Sequence, residues 1–272
     1  MEPLALPTPQ ALSEFTGDKS WFPTEGRFGV FLHLGLYSIT GREENDRMGL
    51  SPEDYAKTFL PRFNPVAFSA EEWVNQIKAA GASHLVLTTR HGEGFCLWDT
   101  QSTDFKVTNT PFGRDLLKEL AEACQKLGLR LGLYYAADNW HYFGGDEAKE
   151  PEPGAYHSFV RRQVFELLEN YGPVSLFWFD GSSPLIGQDA FARLVNDMRS
   201  RQPGMVINNR GLNHSDPAYE RVGDYLTPER FFPAAINEDT AYIEVCDAMG
   251  QKSWGYHRDE VFISGAECIR RL

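Results

Sequence analysis

The chain has little of what announces a cofactor, a nucleic acid or a membrane. It has only four cysteines, Cys96, Cys124, Cys246 and Cys268, with no CxxC pair among them. That excludes the common zinc spacings and a dense disulfide framework, and leaves free thiols in a reducing compartment as the expectation. No apolar run approaches the roughly 18 residues that a membrane span requires, so no membrane partner is expected. The stretch MEPLALPTPQALSEF lacks the basic start and long apolar core of a signal peptide. A cytoplasmic location is therefore expected as written, and an extracytoplasmic one if a leader has been removed. There is no GxGxxG after the first strand and no Walker loop, so no dinucleotide or nucleoside triphosphate site is indicated. Basic residues are the minority: 26 Lys and Arg against 38 Asp and Glu give a net charge of −12. That is the wrong sign for a nucleic-acid partner.

What is present is enough apolar material for a large core. Hydrophobic residues make up 42% of 272, the length of one large α/β domain or two small ones. Aromatic content is 13%, with six Trp and eleven Tyr. Such rings fill cores, and their faces also suit the C–H groups of sugars.

Helical and extended patterns alternate along the chain. FGVFLHLGLY (28–37) is a buried strand carrying His33. SPEDYAKTF (51–59) opens with a Ser–x–x–Asp cap, and SAEEWVNQIKAAGA (69–82) repeats the logic, with Trp73, Ile77 and Ala80 on one face. LVLTT is a strand followed by the turn RHGEGF. Helix 115–128, strand LRLGLYY, helix 155–172, strand PVSLFWFDG (173–181), helix 188–204 and strand MVINNRG (205–211) come next in order, and 241–250 is extended again. This alternation implies parallel strands with crossover helices, in an open doubly wound sheet or a (β/α)8-type, TIM-like barrel. Polar residues at every strand end favour the barrel, which gathers those ends around one pocket. They are His33; His91 and Glu93; Tyr134, Tyr135, Asn139, Trp140 and His141; Asp180; and Asn208, Asn209 and Arg210.

Each of these residues has a bland reading beside a chemical one. Asp180 at the mouth of VSLFWF suits a nucleophile or general base, and Asp-Gly is also a good turn. His33 is a ligand-binding imidazole or a satisfied core histidine. His91, Glu93 and His141 are conceivable metal ligands, although His–x–Glu is not a standard zinc motif. Arg210 in NNR is a hydrogen-bonding cluster or a solvated turn. Glu229 in LTPER and Glu244 in AYIEVCD are the notable later acids, and burial of Glu244 in its apolar segment would raise its pKa toward that of a proton donor. Several His, Tyr, Trp and Asn residues with two or more acids, and no cofactor motif, point to polyol binding and acid/base hydrolysis.

Together these stretches resemble the α-L-fucosidases of glycoside hydrolase family 29. The matching segments are RFGVFLHLGLYSITGREE (27–44), HLVLTTRHGEGF and its continuation to 124, LGLYYAADNWH (131–141), LLENYGPVSLFWFDG (167–181), INNR (207–210), GDYLTPE (223–229) and EVCDAMGQKSWGY (244–256). The resemblance implies an irregular catalytic barrel and a retaining exo-glycosidase that removes terminal α-L-fucosyl residues from a fucosylated glycan or small fucoside, with no cofactor and no metal. By motif, Asp180 would be the nucleophile, and His33, Glu44, His91, Tyr135 and Arg210 would line the sugar subsite, with Trp140 and His141 close by. Glu244 is the favoured acid/base and Glu229 its rival.

This chain departs from the family pattern at Gly92, where HHDGF has become HGEGF, at Leu34 in place of a Trp, and at Asn45 in place of another. These departures imply an altered sugar preference or an impaired, carbohydrate-binding barrel as the alternative. The expectation for 1–272 is one barrel domain truncated at its C-terminal end, lacking the family's last strand and C-terminal β-sandwich, with homo-oligomers as a consequence of open strand edges.

Overall fold

The computed structural model describes residues 19–25, 28–146, 152, 154–181, 185–210, 223–230 and 242–271. The N-terminal stretch read for a leader lies outside the described residues, as does most of the region 211–243. Five parallel strands form one sheet: β1 (Gly29–Leu32), β2 (His84–Arg90), β3 (Arg130–Ala136), β4 (Leu176–Asp180) and β5 (Val206–Ile207). β6 (Tyr225–Leu226) and β7 (Tyr242–Ile243) pair in parallel, and a bridge between Asn208 and Tyr225 carries β5 on to β6. Spatial order follows chain order throughout the sheet. Among the described strands this order does not reverse.

Three of the crossover helices open on side-chain caps, and the other two on Gly154 and Gly187. These helices are α1 (Pro52–Phe59), α2 (Ala70–Ala79), α3 (Leu116–Leu127), α4 (Ala155–Asn170) and α5 (Gln188–Arg201), with α6 (Gly265–Arg271) near the end of the chain. The Ser51 hydroxyl accepts from the Asp54 N–H at 3.1 Å, and the Asp115 carboxylate accepts from the Lys118 N–H at 2.9 Å. Each satisfies a first-turn donor that would otherwise be orphaned. Gly128 stops α3 in the left-handed region at φ 67°. On α2 the buried face is Ala70, Val74 and Ile77, at i, i+4 and i+7. Trp73 is half-buried and Ala80 exposed, because the buried stripe is rotated toward Val74, the later neighbour of Trp73, relative to the spacing 73, 77, 80.

Strand alternation sorts the side chains into two cores. Leu85, Leu87, Leu131, Leu133, Tyr135, Phe177 and Phe179 join the large core shared with the helices. Val86, Tyr134, Ala136, Leu176, Trp178, Val206, Tyr225 and Cys246 form a second core on the opposite face, with Phe31 packed against it. This period of two is the geometry of a pleated strand buried on both faces. It breaks once. Thr88 pairs with Tyr134 but Arg90 pairs with Tyr135, a register shift that inserts one residue into β2. The shift changes the parity of every later position on the strand. Arg90 turns toward the helix side, where its guanidinium lies 4.1 Å from the Tyr135 ring centroid and Nη1 donates to Gln163 at 3.2 Å. His91 thereby turns to the opposite face.

Contacts also join the first strands to the last. Trp21 packs edge-on against His84 at 5.6 Å, while its neighbour Phe22 meets Tyr225 at 4.6 Å. At the other end of the strands, Glu44 accepts a hydrogen bond from the Ser253 hydroxyl at 2.7 Å. Among the described residues, no helix is long and apolar enough to cross a membrane.

Candidate active site

The second core opens at the C-terminal ends of the strands into a cavity of about 210 Å³. That is below the roughly 300–1,000 Å³ of pockets for drug-sized ligands, and of a size for one sugar ring. Its lining includes Phe31, His33, Glu44, Asn45, His91, Tyr134, Trp178, Asp180, Glu229 and Trp254. Parity explains most of these. His33 follows Phe31 by two residues, Asp180 follows Trp178, Arg210 follows Val206 and Asn208, and Glu229 follows Tyr225 and Thr227. A strand that turns one apolar residue inward turns its polar tip the same way.

One wall is a row of flat groups. His91 stacks on Tyr134 with centroids 5.5 Å apart, Tyr134 stacks on Trp178 at 5.6 Å, and the Arg210 guanidinium lies 4.5 Å from the Trp178 ring. The row ends in a charge cluster. Arg210 Nη1 donates to Asp180 Oδ1 at 2.9 Å and to Glu229 Oε1 at 2.5 Å. These two bonds to one nitrogen keep those carboxylate oxygens within about 5.4 Å of each other. The other nitrogens of the fork are anchored: Nε donates to the Thr227 hydroxyl at 2.7 Å and Nη2 to the Thr227 carbonyl at 2.7 Å. The remaining oxygen of Asp180 accepts from the Tyr134 hydroxyl at 2.8 Å. Burial opposes the charge on Arg210, but Asp180 and Glu229 hold its pKa above the ordinary value.

The opposite wall is built on β1 and the late loop. Glu44 is buried and accepts from the Ser253 hydroxyl and the Gly255 N–H. His33 lies between Trp254, stacked at 6.0 Å, and His91 at 6.1 Å. Burial, reinforced by His91, holds the His33 imidazole well below its ordinary pKa, so it is neutral at neutral pH. A neutral imidazole both donates and accepts, which suits a sugar hydroxyl.

Other expected site residues lie elsewhere. Tyr135 is fully buried on the helix side and donates to Gln163 at 2.9 Å. Tyr134 occupies the cavity in its stead, because the alternation Leu131, Leu133, Tyr135 faces outward. His141 stacks on Phe105 at 4.0 Å and lines a separate apolar groove of about 850 Å³ with Pro52, Leu60 and Pro111. Trp140 packs edge-on against Tyr55 at 5.2 Å with the Arg47 guanidinium over it. Glu93 accepts from the Leu36 N–H at 3.0 Å and the Tyr55 hydroxyl at 3.2 Å, and burial pushes it up to about 8. It is an anchor for the turn after β1. Among the described residues, no three His, Cys, Asp or Glu side chains converge as a metal site. Leu34 packs against the large core. Glu244 is not among the residues lining the cavity; it accepts from Trp178 Nε1 at 2.7 Å, and burial raises it to about 7.

The family model described as alpha-L-fucosidase matches residues 8–272. Tissue alpha-L-fucosidase of Mus musculus is 31% identical over 271 residues, covering 88% of this chain and 57% of that protein. The chain thus spans little more than half the length of the curated relatives it matches. Among solved structures, alpha-L-fucosidase isoenzyme 1 from Paenibacillus thiaminolyticus superimposes with a TM-score of 0.82 at 34% identity, covering 96% of this chain and 66% of that one. A GH29 alpha-L-fucosidase from Bacteroides thetaiotaomicron, a covalent intermediate trapped with 2-fluoro-fucosyl fluoride, gives 0.80 at 28% identity over 91% of this chain and 64% of its own. The chain belongs to the alpha-L-fucosidase family of glycoside hydrolases.

Proposed function

We propose that this chain forms the catalytic (β/α)8-type barrel of an exo-acting α-L-fucosidase that retains anomeric configuration. Sequential strand order and the contacts through Trp21 and Phe22 that link β2 to β6 support the barrel. The observation that carries the mechanism is the Arg210 bridge: Asp180 and Glu229 line one cavity with carboxylate oxygens no more than about 5.4 Å apart. A separation of about 5–5.5 Å is the spacing for double displacement, whereas an inverting pair stands farther apart to admit a water.

In this reading Asp180 is the nucleophile. Tyr134 and Arg210 each hold one of its oxygens, which fixes the carboxylate in the cavity mouth. It attacks the anomeric carbon of a terminal fucosyl residue while Glu229 protonates the departing oxygen. Glu229 then takes a proton from the water that hydrolyses the ester. Glu44, neutral His33 and His91 bind ring hydroxyls.

Hydrolysis of an aryl α-L-fucoside tests the activity, with Asp180→Ala as the inactive control. Incubation with 2-fluoro-fucosyl fluoride tests the nucleophile: one added fluorofucosyl mass is expected on the peptide containing Asp180. Turnover with inverted product, or a label on another residue, would overturn the assignment.

A further inference from the structure

Asp138 continues the inward series Tyr134, Ala136 at the end of β3. Ala136 pairs with Asp180, which sets Asp138 one rung beyond the nucleophile on the adjoining strand. Two glycines make room for it. A Cβ on Gly92 would stand 2.6 Å from Asp138 Oδ2, and one on Gly181 would overlap Oδ1. The same Gly92 position is 3.3 Å from Asn45 Oδ1, so Asp138 and Asn45 approach one gap from two sides. The charge of Asp138 is felt by His91, Asp180 and the Tyr134 hydroxyl, all of which line the cavity. Arg90 Nη2 donates to its main-chain oxygen at 3.2 Å and fixes the backbone beneath it. Burial raises the carboxyl's pKa, opposed by His91 and Arg90. Among the described residues, no other side chain donates a hydrogen bond to it. This half-buried acceptor lies beside the cavity-lining His91, Asn45 and Asp180 in space left by two glycines, with no side-chain donor.

We propose that Asp138 is a specificity-determining residue that accepts a hydrogen bond from one ring hydroxyl of the bound sugar on the wall formed by His91, Gly92 and Asn45. The inference rests on the fucosidase reading and adds a selector to it. It makes Gly92 part of the device, since any side chain there displaces the carboxyl. The substrate class is a pyranoside whose hydroxyl on that wall is free, neither methylated nor acylated.

The test compares 4-nitrophenyl α-L-fucoside with its 2-, 3- and 4-deoxy analogues on the parent chain, Asp138→Ala, Asp138→Asn and Gly92→Ala. With the parent, one deoxy analogue is expected to lose a further 10- to 100-fold in kcat/KM relative to the others. In Asp138→Ala and Gly92→Ala that selective loss shrinks to threefold or less, while the other two are unchanged. Asp138→Asn keeps an acceptor oxygen and falls between. Penalties that persist in both Asp138 variants, or variants that slow all four substrates equally, would overturn the proposal while leaving the fucosidase reading intact. A parent chain that melts cooperatively yet neither hydrolyses the fucoside nor binds L-fucose would overturn the fucosidase reading, and the selector with it.

Discussion

The assignment of Glu229 rather than Glu244 as acid/base gives the sharpest test of the site geometry. Glu229→Gln is the perturbation of choice because an amide oxygen still accepts from Arg210 Nη1, so the Arg210–Asp180 bond is kept. What is lost is the proton. Positioned acid/base groups contribute about 10²–10⁴ in rate, or about 3–5 kcal/mol of barrier. The full loss is expected on methyl or phenyl α-L-fucoside, whose leaving groups need a proton. It should nearly vanish on 2,4-dinitrophenyl α-L-fucoside for the first step, leaving slow release of the fucosyl-enzyme. Azide needs no base to attack, so it should restore turnover and yield the fucosyl azide of retained configuration. Glu244→Gln removes a carboxyl that accepts from Trp178 Nε1 and is not among the residues lining the cavity. Its effect is expected to be no more than about tenfold, given an ordinary hydrogen bond of about 1 kcal/mol. If Glu244→Gln instead shows the leaving-group dependence and azide rescue, and Glu229→Gln keeps more than a tenth of kcat/KM on the phenyl fucoside, then the Arg210 bridge does not identify the acid.

Other outcomes rest on particular contacts. Tyr134→Phe removes a hydrogen bond to the Asp180 carboxylate, worth about 1.5–3 kcal/mol, so kcat/KM should fall roughly 10- to 150-fold. Tyr135→Phe should leave kinetics within about twofold and lower the melting temperature by a few degrees, since it removes only the bond to Gln163. Glu93→Gln tests the raised carboxyl near 8. The folded state keeps this proton and the unfolded state releases it above pH ~4.5, so the stabilisation is complete at lower pH and is lost as pH rises toward 8. Glutamine copies the protonated acid, so the variant should gain on the parent between pH 5 and 8.5 by on the order of a few kcal/mol, read as a difference in melting temperature. A pH-independent difference would show that Glu93 is ionised in the fold. Arg210→Lys keeps the charge but loses the fork that serves Thr227, Asp180 and Glu229 together, and should cost at least tenfold in kcat/KM and several degrees of melting temperature.

Much of the architecture was legible because it depends on local chemistry. Ser51, Ser69 and Asp115 announce helix starts, Gly128 a helix end, and the apolar runs between them the strands. Asp180 was legible because alternation along LFWFD fixes its face. Tyr135 was misplaced because YY offers two tyrosines and only the register of β3 chooses between them. Ala80 was misplaced because the helix phase was set from Trp73, whose size permits half-burial. His141 and Trp140 could not be placed because they follow β3 in a turn, where no periodicity applies. Asp138 carried no signal at all: its space is made by Gly92 and Gly181, distant in sequence and adjacent only in the fold.

The extra residue in β2 has a consequence for how this strand can change. A strand stores facing as odd or even position, and the shift between Thr88 and Arg90 is where β2 resets its count. One continuous segment thereby delivers leucines to the helix layer and an imidazole to the opposite side. Substitutions upstream alter packing alone. An unbroken ladder, with Thr89 instead of Arg90 opposite Tyr135, would exchange the cargo, sending Arg90 toward the cavity and His91 toward the helix layer with no change of composition. The strand would survive as a strand and fail as part of a binding site, so register here is as much a functional property as composition.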